Sequence, residues 1–491
     1  MLEVTHCPVC EGHARHDLVS FTPDPYLRRL PGRTDAAVRY VVCRDCGFVY
    51  QHQMMDEAEM EQLYTTSYRR PQPDPKYLEE VRVIALDVCS WITNRTGMCG
   101  TGRSVLDIGC AAGMSLRPFA LQGWRAIGLD PGNDWVAYGR REYGLDLRTG
   151  FYTGASLPGE KFDLVLWSHV IEHVLDPAPV LASIREHLTE DGYLFVGTPN
   201  ILAPKRKLHP GLFGGDHVRL FSARTLITYL RKNGFRVVAL ETFRPRGIRA
   251  LAVKAGSSEV SLGEGRDDWR MIHALFRGLV KPQEASLLER NLAALKDQPV
   301  EVLEEACKQR GAGPYRVRQD GRGVDNVARV RPDDSETWLY GAEGSRARAA
   351  RSIARLPERT PDNLLLVGLG LGHLAEMLEA RLDSSCHLHV WEPDATLFAT
   401  ILQARDLSAL FRSPRLFLHV GPELEFLRHL IRGCYRQEVG KMNDPVVAEA
   451  RHPLMTEMEA WLTMVASSDK AQALAGPVSA APEPVAAGAR P

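Results

Sequence analysis

Short apolar runs alternate with helical patterns from residue 101 to residue 256. Runs near 104–109, 125–130, 146–149, 163–168 and 192–197 have the length of buried strands, and apolar positions recur every three to four residues near 114–122, 134–143 and 177–188. Strict alternation of strand and helix predicts an α/β unit on a parallel, doubly wound sheet. Ser222 offers a side-chain oxygen to the open end of a helix near 223–233, and Gly234 suits its end. Strands near 235–243 and 248–254, joined by Pro245-Arg-Gly247, predict a closing antiparallel hairpin. The pattern then returns: Asn363-Leu-Leu-Leu-Val-Gly-Leu-Gly-Leu-Gly372 is a strand run ending in a glycine turn, and His387-Leu-His-Val-Trp-Glu392-Pro-Asp394 is a strand with a terminal acid. The expected fold class is α/β, with two Rossmann-like cores of different sequence.

The first glycine turn carries the chemistry. Val105-Leu-Asp-Ile-Gly-Cys-Ala-Ala-Gly113 puts a loop with free N–H groups at the carboxyl edge of strand one, and Gly128-Leu-Asp-Pro-Gly132 puts Asp130 at the end of strand two, within reach of ribose hydroxyls. A nucleoside-containing cofactor follows. The dinucleotide fingerprint G-x-G-x-x-G is absent, so no pyrophosphate clamp is evident, and Asp107 stands where it holds an amino or ammonium group. A structural unit without cofactor is the alternative.

This stretch resembles motif I of the class I S-adenosylmethionine (SAM) methyltransferases, D-I-G-C-G-x-G, with Ala111 in place of the middle glycine. The resemblance continues through Phe162-Asp-Leu-Val-Leu-Trp-Ser-His-Val-Ile-Glu-His-Val174, Gly192-Tyr-Leu-Phe-Val-Gly-Thr-Pro-Asn200, Asp216-His-Val-Arg-Leu-Phe-Ser222 and Asn233-Gly-Phe235. It implies SAM as cofactor, Gly109, Cys110 and Gly113 around its amino-acid part, Asp107 near its ammonium, Asp130 on its ribose, and Phe151, Tyr152 or the Ala155–Leu157 turn along its adenine. A sulfonium methyl is already electrophilic, so the protein chiefly aligns an acceptor and excludes water. For a hydroxyl acceptor a base near neutral pKa helps, and His169, His173 and His217 are the candidates, the last after a Gly-rich flexible lid from Pro210 to Gly215. Packing or loop anchoring is the plain alternative for each.

Cysteines are unevenly spread. Cys7-Pro-Val-Cys10 and Cys43-Arg-Asp-Cys46 form two C-x2-C pairs beside short strands (Arg39 to Val42, Phe48 to Tyr50), which suits a tetrahedral S4 zinc site; a redox pair or buried free thiols are the alternatives. The gap between the pairs leaves room for an inserted loop, Phe21 to Ala37. With Gly47-Phe-Val-Tyr50, a helical stretch from Asp56 to Leu63 and Tyr64 to Tyr68, this zinc-ribbon-like head resembles that of bacterial small-molecule and deoxysugar methyltransferases, although the C-terminal domain of the sugar C-methyltransferases is not found after residue 256. The later core, with Asn291-Leu-Ala-Ala-Leu and Phe417-Leu-His-Val-Gly421, resembles the nucleotide-binding part of the motility-associated glycosyltransferases; a scaffold or dimerisation domain and an inactive SAM-like fold are the alternatives.

Length and composition bound the remainder. A chain of 491 residues exceeds one core, and 44% hydrophobic with 25% charged residues is ordinary globular composition. The expected map is a head at 1–60, a helical connector at 61–100, the methyltransferase core at 101–256, a linker at 257–283, the second core at 284–470 and a disordered tail at 471–491. A net charge of −1 gives no overall pull toward nucleic acid, despite Lys205-Arg-Lys207, which disfavours an RNA methyltransferase. No signal peptide or membrane-length apolar run is seen, so the expected location is the cytoplasm. The expected partner is a small-molecule acceptor, a sugar or nucleotide-sugar in surface-glycan assembly, with a homodimer or a bifunctional scaffold as further options.

Overall fold

The computed structural model describes residues 2–33, 35–67, 74–204, 208–209, 211–243, 247–255, 266–308, 314–320, 323–340, 343–354, 363–422 and 439–443. Two compact units divide the chain, Met1–Val280 and Lys281–Pro491. The basic cluster at 205–207 and the tail at 471–491 lie outside the described residues.

The first unit is organised by seven strands: β1 (Ser104–Ile108), β2 (Arg125–Asp130), β3 (Asp146–Thr149), β4 (Phe162–Ser168), β5 (Leu188–Thr198), β6 (Phe235–Phe243) and β7 (Gly247–Lys254). They lie in the order β6-β7-β5-β4-β1-β2-β3. The pairings between β3 and β5 are parallel, and β7 runs antiparallel to both β5 and β6. Every side chain of β1 is buried, as expected of a strand covered on both faces. One face carries Trp167, Leu181, Leu226 and Phe235; the other carries Trp91, Phe119, Trp124 and Phe195. The order reverses at β1, between β2 and β4, so the crevice where such sheets bind ligands opens at the carboxyl ends of these three strands.

The helices fall where the apolar periodicity puts them, with local chemistry at their ends. Ser222 caps Ala223–Lys232 in a reciprocal box with Thr225, and Gly234 follows with φ +79°. The pattern at 114–122 is helical only over Arg117–Leu121, because the residues before it complete the turn that leaves β1. Pro75–Thr96 forms the connector's long helix.

The head is joined to this sheet by strand pairing. A four-stranded antiparallel sheet runs, in order, Arg219–Leu220, Val49–Gln51, Val38–Cys43 and Arg15–Phe21, so its edge strand comes from the chain that follows β5. Part of the expected linker is not a linker: Trp269–Val280 is a helix that buries Met271, Ile272, Leu275 and Phe276, and it packs on Arg15–Phe21 and Val38–Cys43. Its apolar residues recur at helical spacing and need a face to cover.

In the second unit, Asn363–Val367, His387–Glu392 and Leu416–Val420 are parallel strands at the expected positions, and Val439–Asn443 joins them in the order Leu416–Val420, His387–Glu392, Asn363–Val367, Val439–Asn443. A three-stranded antiparallel sheet, Tyr315–Asp320, Gly323–Val330 and Glu336–Trp338, was not signalled by the sequence pattern.

One close approach fixes a helix against the turn after β1. A Cβ on Gly139, in the helix Asn133–Tyr143, would stand 2.4 Å from the Ala112 carbonyl oxygen and 2.5 Å from Leu147 Cδ1. Gly to Ala within a helix ordinarily gains about 1 kcal/mol. Here overpacking against backbone reverses the sign, and Gly139→Ala is expected to cost about 1–3 kcal/mol, read as a lower urea midpoint.

Candidate functional site

A cavity of about 1210 Å³ opens at the carboxyl ends of β1, β2 and β4. Asp107, Gly109, Cys110, Asp130, Phe151, Tyr152, His169 and His173, eight of the residues expected from sequence, line it together. Two do not. Gly113 is turned onto Leu145 and Leu147, where its missing Cβ permits helix-to-strand packing. His217 stands outside the lining, in contact with His173 at 4.6 Å between ring centroids.

At the β1–β2 end the turn is built by its own bonds. The N–H groups of Gly109 and Cys110 donate to the Leu129 carbonyl at 2.8 and 3.1 Å, that of Gly113 donates to the Cys110 carbonyl at 2.8 Å, and that of Ala111 donates to Asp130 Oδ2 at 2.8 Å. Three of the expected free N–H groups, those of Gly109, Cys110 and Ala111, are therefore engaged, and they stitch the turn to β2. Ala111 takes φ +50°, so the position lacking glycine still adopts the left-handed turn. Asp130 also accepts from the Gly132 N–H at 2.8 Å, and its carboxylate braces two loops at once.

What remains for recognition at this end is carboxylate oxygen. Asp107 is buried, and burial followed by the nearby charge of Asp130 pushes its carboxyl well above the usual range. A cationic amine beside it would reverse that penalty. Phe151 is half exposed beside the cavity, whereas the Tyr152 hydroxyl reaches His187 Nδ1 at 2.5 Å and His187 Nε2 meets the Leu157 carbonyl at 3.0 Å. Tyr152 thus anchors the 151–157 turn while its neighbour presents a ring.

The opposite end is made of imidazoles around one carboxylate. His169, with φ +56° and its N–H donated to the Gly197 carbonyl at 2.7 Å, leaves β4 in a backbone state rare for histidine, and strain of that kind collects at working sites. Its side chain is 53% exposed, and Nδ1 lies 3.3 Å from Glu172 Oε1. Glu172 is fully buried and accepts from Thr198 Oγ1 at 3.1 Å. Burial opposes its ionisation, but the proximity of His169 and the charges of His173 and His217 outweigh this and hold the carboxyl down at about 2. Donor atoms of Glu172, His173 and His217 all lie within 4.8 Å of one another. Burial, then the charge of His217, lowers the pKa of His173.

The connector roofs the cavity with Tyr64, Tyr77, Leu78 and Val81, and Tyr77 meets Trp135 edge to face at 5.9 Å. Sequence reasoning missed Tyr77, Trp135 and Glu172 as site residues. Tyr77 and Trp135 stand in helices without a motif to single them out, and Glu172 stood only within the run Phe162 to Val174.

The head grips the loop that carries His217. The Tyr40 hydroxyl lies 2.7 Å from the Gly214 carbonyl and 2.6 Å from that of His217, and it accepts from the Gly214 N–H at 3.1 Å. Gln51 Nε2 donates to the same two carbonyls, and buried Asp24 accepts from the Gly215 N–H at 3.2 Å. The described part of the expected flexible lid, 211–215, is instead an anchored wall. Within the head, Cys7 and Cys46 sulfurs lie 3.6 Å apart and those of Cys10 and Cys43 3.5 Å apart, with all four within 4.8 Å. Four thiolates at ~2.3 Å from one zinc ion stand roughly 3.8 Å from each other, so this cluster is the right size to hold one.

The family model described as a methyltransferase domain matches residues 79–240. The chain carries a class I methyltransferase domain. The domain is 32% identical over 131 residues to the ubiquinone biosynthesis O-methyltransferase of Aeromonas salmonicida, across 26% of this chain and 53% of that protein. It is 38% identical over 104 residues to the enzyme of the same name in Cereibacter sphaeroides, across 20% and 42%. The chain spans about half the length of these relatives. Among solved structures, magnesium protoporphyrin IX methyltransferase of Synechocystis is 19% identical, across 41% of this chain and all of that one, with a TM-score of 0.31. Neither relative is named for a sugar or glycan.

Tyr40→Phe strips the buried Gly214 N–H of its acceptor without touching the β1–β2 end of the methyltransferase domain. The expected outcome is a loss of about 1–3 kcal/mol in chemical denaturation, with unchanged affinity for SAM by calorimetry.

Proposed function

We propose that this chain transfers a methyl group from SAM to a hydroxyl of a small molecule, and that its four-cysteine head holds a structural zinc ion. The observation that carries the first part is the pairing of Asp107 and Asp130 at one end of the cavity with a histidine cluster at the other. SAM supplies an electrophilic methyl on a sulfonium and leaves as a neutral thioether. Asp107, buried with no neutralising cation among the described residues, holds the ammonium of its amino-acid part; Gly109 and Cys110 form the wall beside it. Asp130 keeps lone pairs for ribose hydroxyls beyond the two it gives to backbone N–H groups, and Phe151 lies along the adenine.

The chain's remaining work is on the acceptor. His169 takes the hydroxyl proton as the oxygen forms its new bond to carbon: Glu172 beside Nδ1 favours a proton there, which makes Nε2 the basic nitrogen. His173 orients the acceptor from the cavity wall, and His217 packs behind it on the loop fixed by the head. A polyhydroxylated acceptor, a sugar or nucleotide-sugar, is the finer reading supported by the head's resemblance to deoxysugar methyltransferases.

Asp107→Asn separates binding from folding. Removing a charge that burial disfavours should raise the melting temperature of the ligand-free protein, while calorimetry should show SAM affinity reduced more than about tenfold. A variant that binds SAM as well as the parent would take Asp107 out of the site, and failure of the parent protein to bind SAM would overturn the function.

Zinc in the head is tested by elemental analysis of protein purified without added metal, with about one ion per chain expected. Cys43→Ser should lose that ion and loosen the head while SAM still binds. A well-folded, metal-free head would refute the assignment.

A further inference from the structure

We infer that Glu172, His173 and His217 form a second metal site, for a single divalent transition-metal ion at the acceptor end of the cavity. Their donor atoms share a sphere small enough for one ion, within 4.8 Å of one another. Each imidazole is already held as metal ligands are held. His173 Nδ1 lies 3.0 Å from the Asp216 carbonyl and His217 Nδ1 lies 2.8 Å from the Leu212 carbonyl, which places the proton on Nδ1 and makes Nε2 the donor nitrogen in both. Glu172 is steadied in the same way by Thr198 Oγ1.

A second, independent observation points to a cation at this place. Glu172 Oε1 and Asp216 Oδ1 are buried carboxylate oxygens without a hydrogen-bond donor among the described residues. Among those residues neither carboxylate pairs with lysine or arginine; the contacts are to His169 at 3.3 Å and His173 at 3.6 Å. A dication held by Glu172, His173 and His217 would sit against the unmet lone pairs of Glu172 Oε1 and supply the positive charge that a buried carboxylate calls for. Two imidazoles and one carboxylate suit zinc, manganese, iron or cobalt in the divalent state, and three protein ligands leave coordination positions open. Because His173 lines the cavity, an open position is available to an acceptor oxygen. An ion there lowers the pKa of the bound hydroxyl, so that its proton leaves readily to His169.

This inference rests on the methyl-transfer reading for its role, but not for its test. Zinc-loaded full-length protein is titrated with Mn2+, which leaves a tetrathiolate site alone. Electron paramagnetic resonance and equilibrium dialysis should show about one Mn2+ per chain, with electron spin echo modulation from two imidazole nitrogens in the unmodified protein. His217→Asn and Glu172→Gln should each weaken Mn2+ by more than about tenfold, while SAM affinity stays within about twofold of the parent. Failure of the parent to take up Mn2+ or Co2+, absence of the nitrogen modulation, or full Mn2+ affinity in both variants would overturn the site. Mn2+ uptake without SAM binding would keep the metal site and overturn the methyl-transfer reading instead.

Discussion

Glu172 is the residue on which the histidine end of the cavity depends. Its carboxylate accepts from Thr198 at the end of β5 and stands beside His169 at the end of β4, while its backbone carbonyl accepts from the N–H groups of Val218 and Arg219 at 2.9 and 3.2 Å. Those last two residues lead into the edge strand of the head's sheet. One buried residue therefore ties two strands of the catalytic sheet to the segment that carries His217. Displacing it would break packing, register and site geometry together, because backbone and side chain are engaged on different neighbours. A buried carboxylate is costly unless surrounded by donors or cations, and the histidines gathered around this one are the fold's answer.

The acids at the strand ends show the same economy. Asp130 accepts from Ala111, in the turn after β1, and from Gly132, two residues after itself. In the second unit Glu392 accepts from Leu369 and Gly370 at 2.9 and 3.2 Å, and from Asp394, again two residues on, at 3.0 Å. Each acid closes a glycine turn onto the neighbouring strand before any ligand is considered. A terminal acid after a glycine turn is thus weaker support for a ribose contact than its sequence position suggests, since folding alone accounts for it. What sets the first unit apart is Asp107, a buried carboxylate that has no such bracing role among the described residues and lines a large cavity.

This explains which features were legible in the sequence. The seven strands of the first sheet, its helices and the Ser222 cap could be read because burial imposes unbroken apolar runs and a helix end demands a donor's partner. Eight of the cavity-lining residues followed, because strand ends and the turns after them fix where they lie. The head's extent could not be read. Arg15–Phe21 carries little alternation, Arg219–Leu220 is only two residues long, and both are strands because neighbours from elsewhere pair with them. The helix Trp269–Val280 had a legible apolar face, but what it covers exists only once the head has folded. Likewise the glycines before His217 suggested mobility, although their carbonyls and N–H groups are satisfied by Tyr40, Gln51 and Asp24, residues more than 160 positions away.

That long-range grip gives the four cysteines a role in the site rather than beside it. Cys43 ends the strand that carries Tyr40, and Cys46 leads into the strand that carries Gln51. These two side chains fix the carbonyls of Gly214 and His217. The zinc proposed for Cys7, Cys10, Cys43 and Cys46 would hold this hairpin at its turn, in a head otherwise supported by short strands. Without it the hairpin could twist and carry Tyr40 and Gln51 away from their acceptors. His217 would then lose its register against His173, although the β1–β2 end, built from bonds within its own turn, would keep its shape. The two ends of the cavity therefore have separate mechanical supports: the strand-end acids at one, and the head's hairpin acting through Tyr40 and Gln51 at the other.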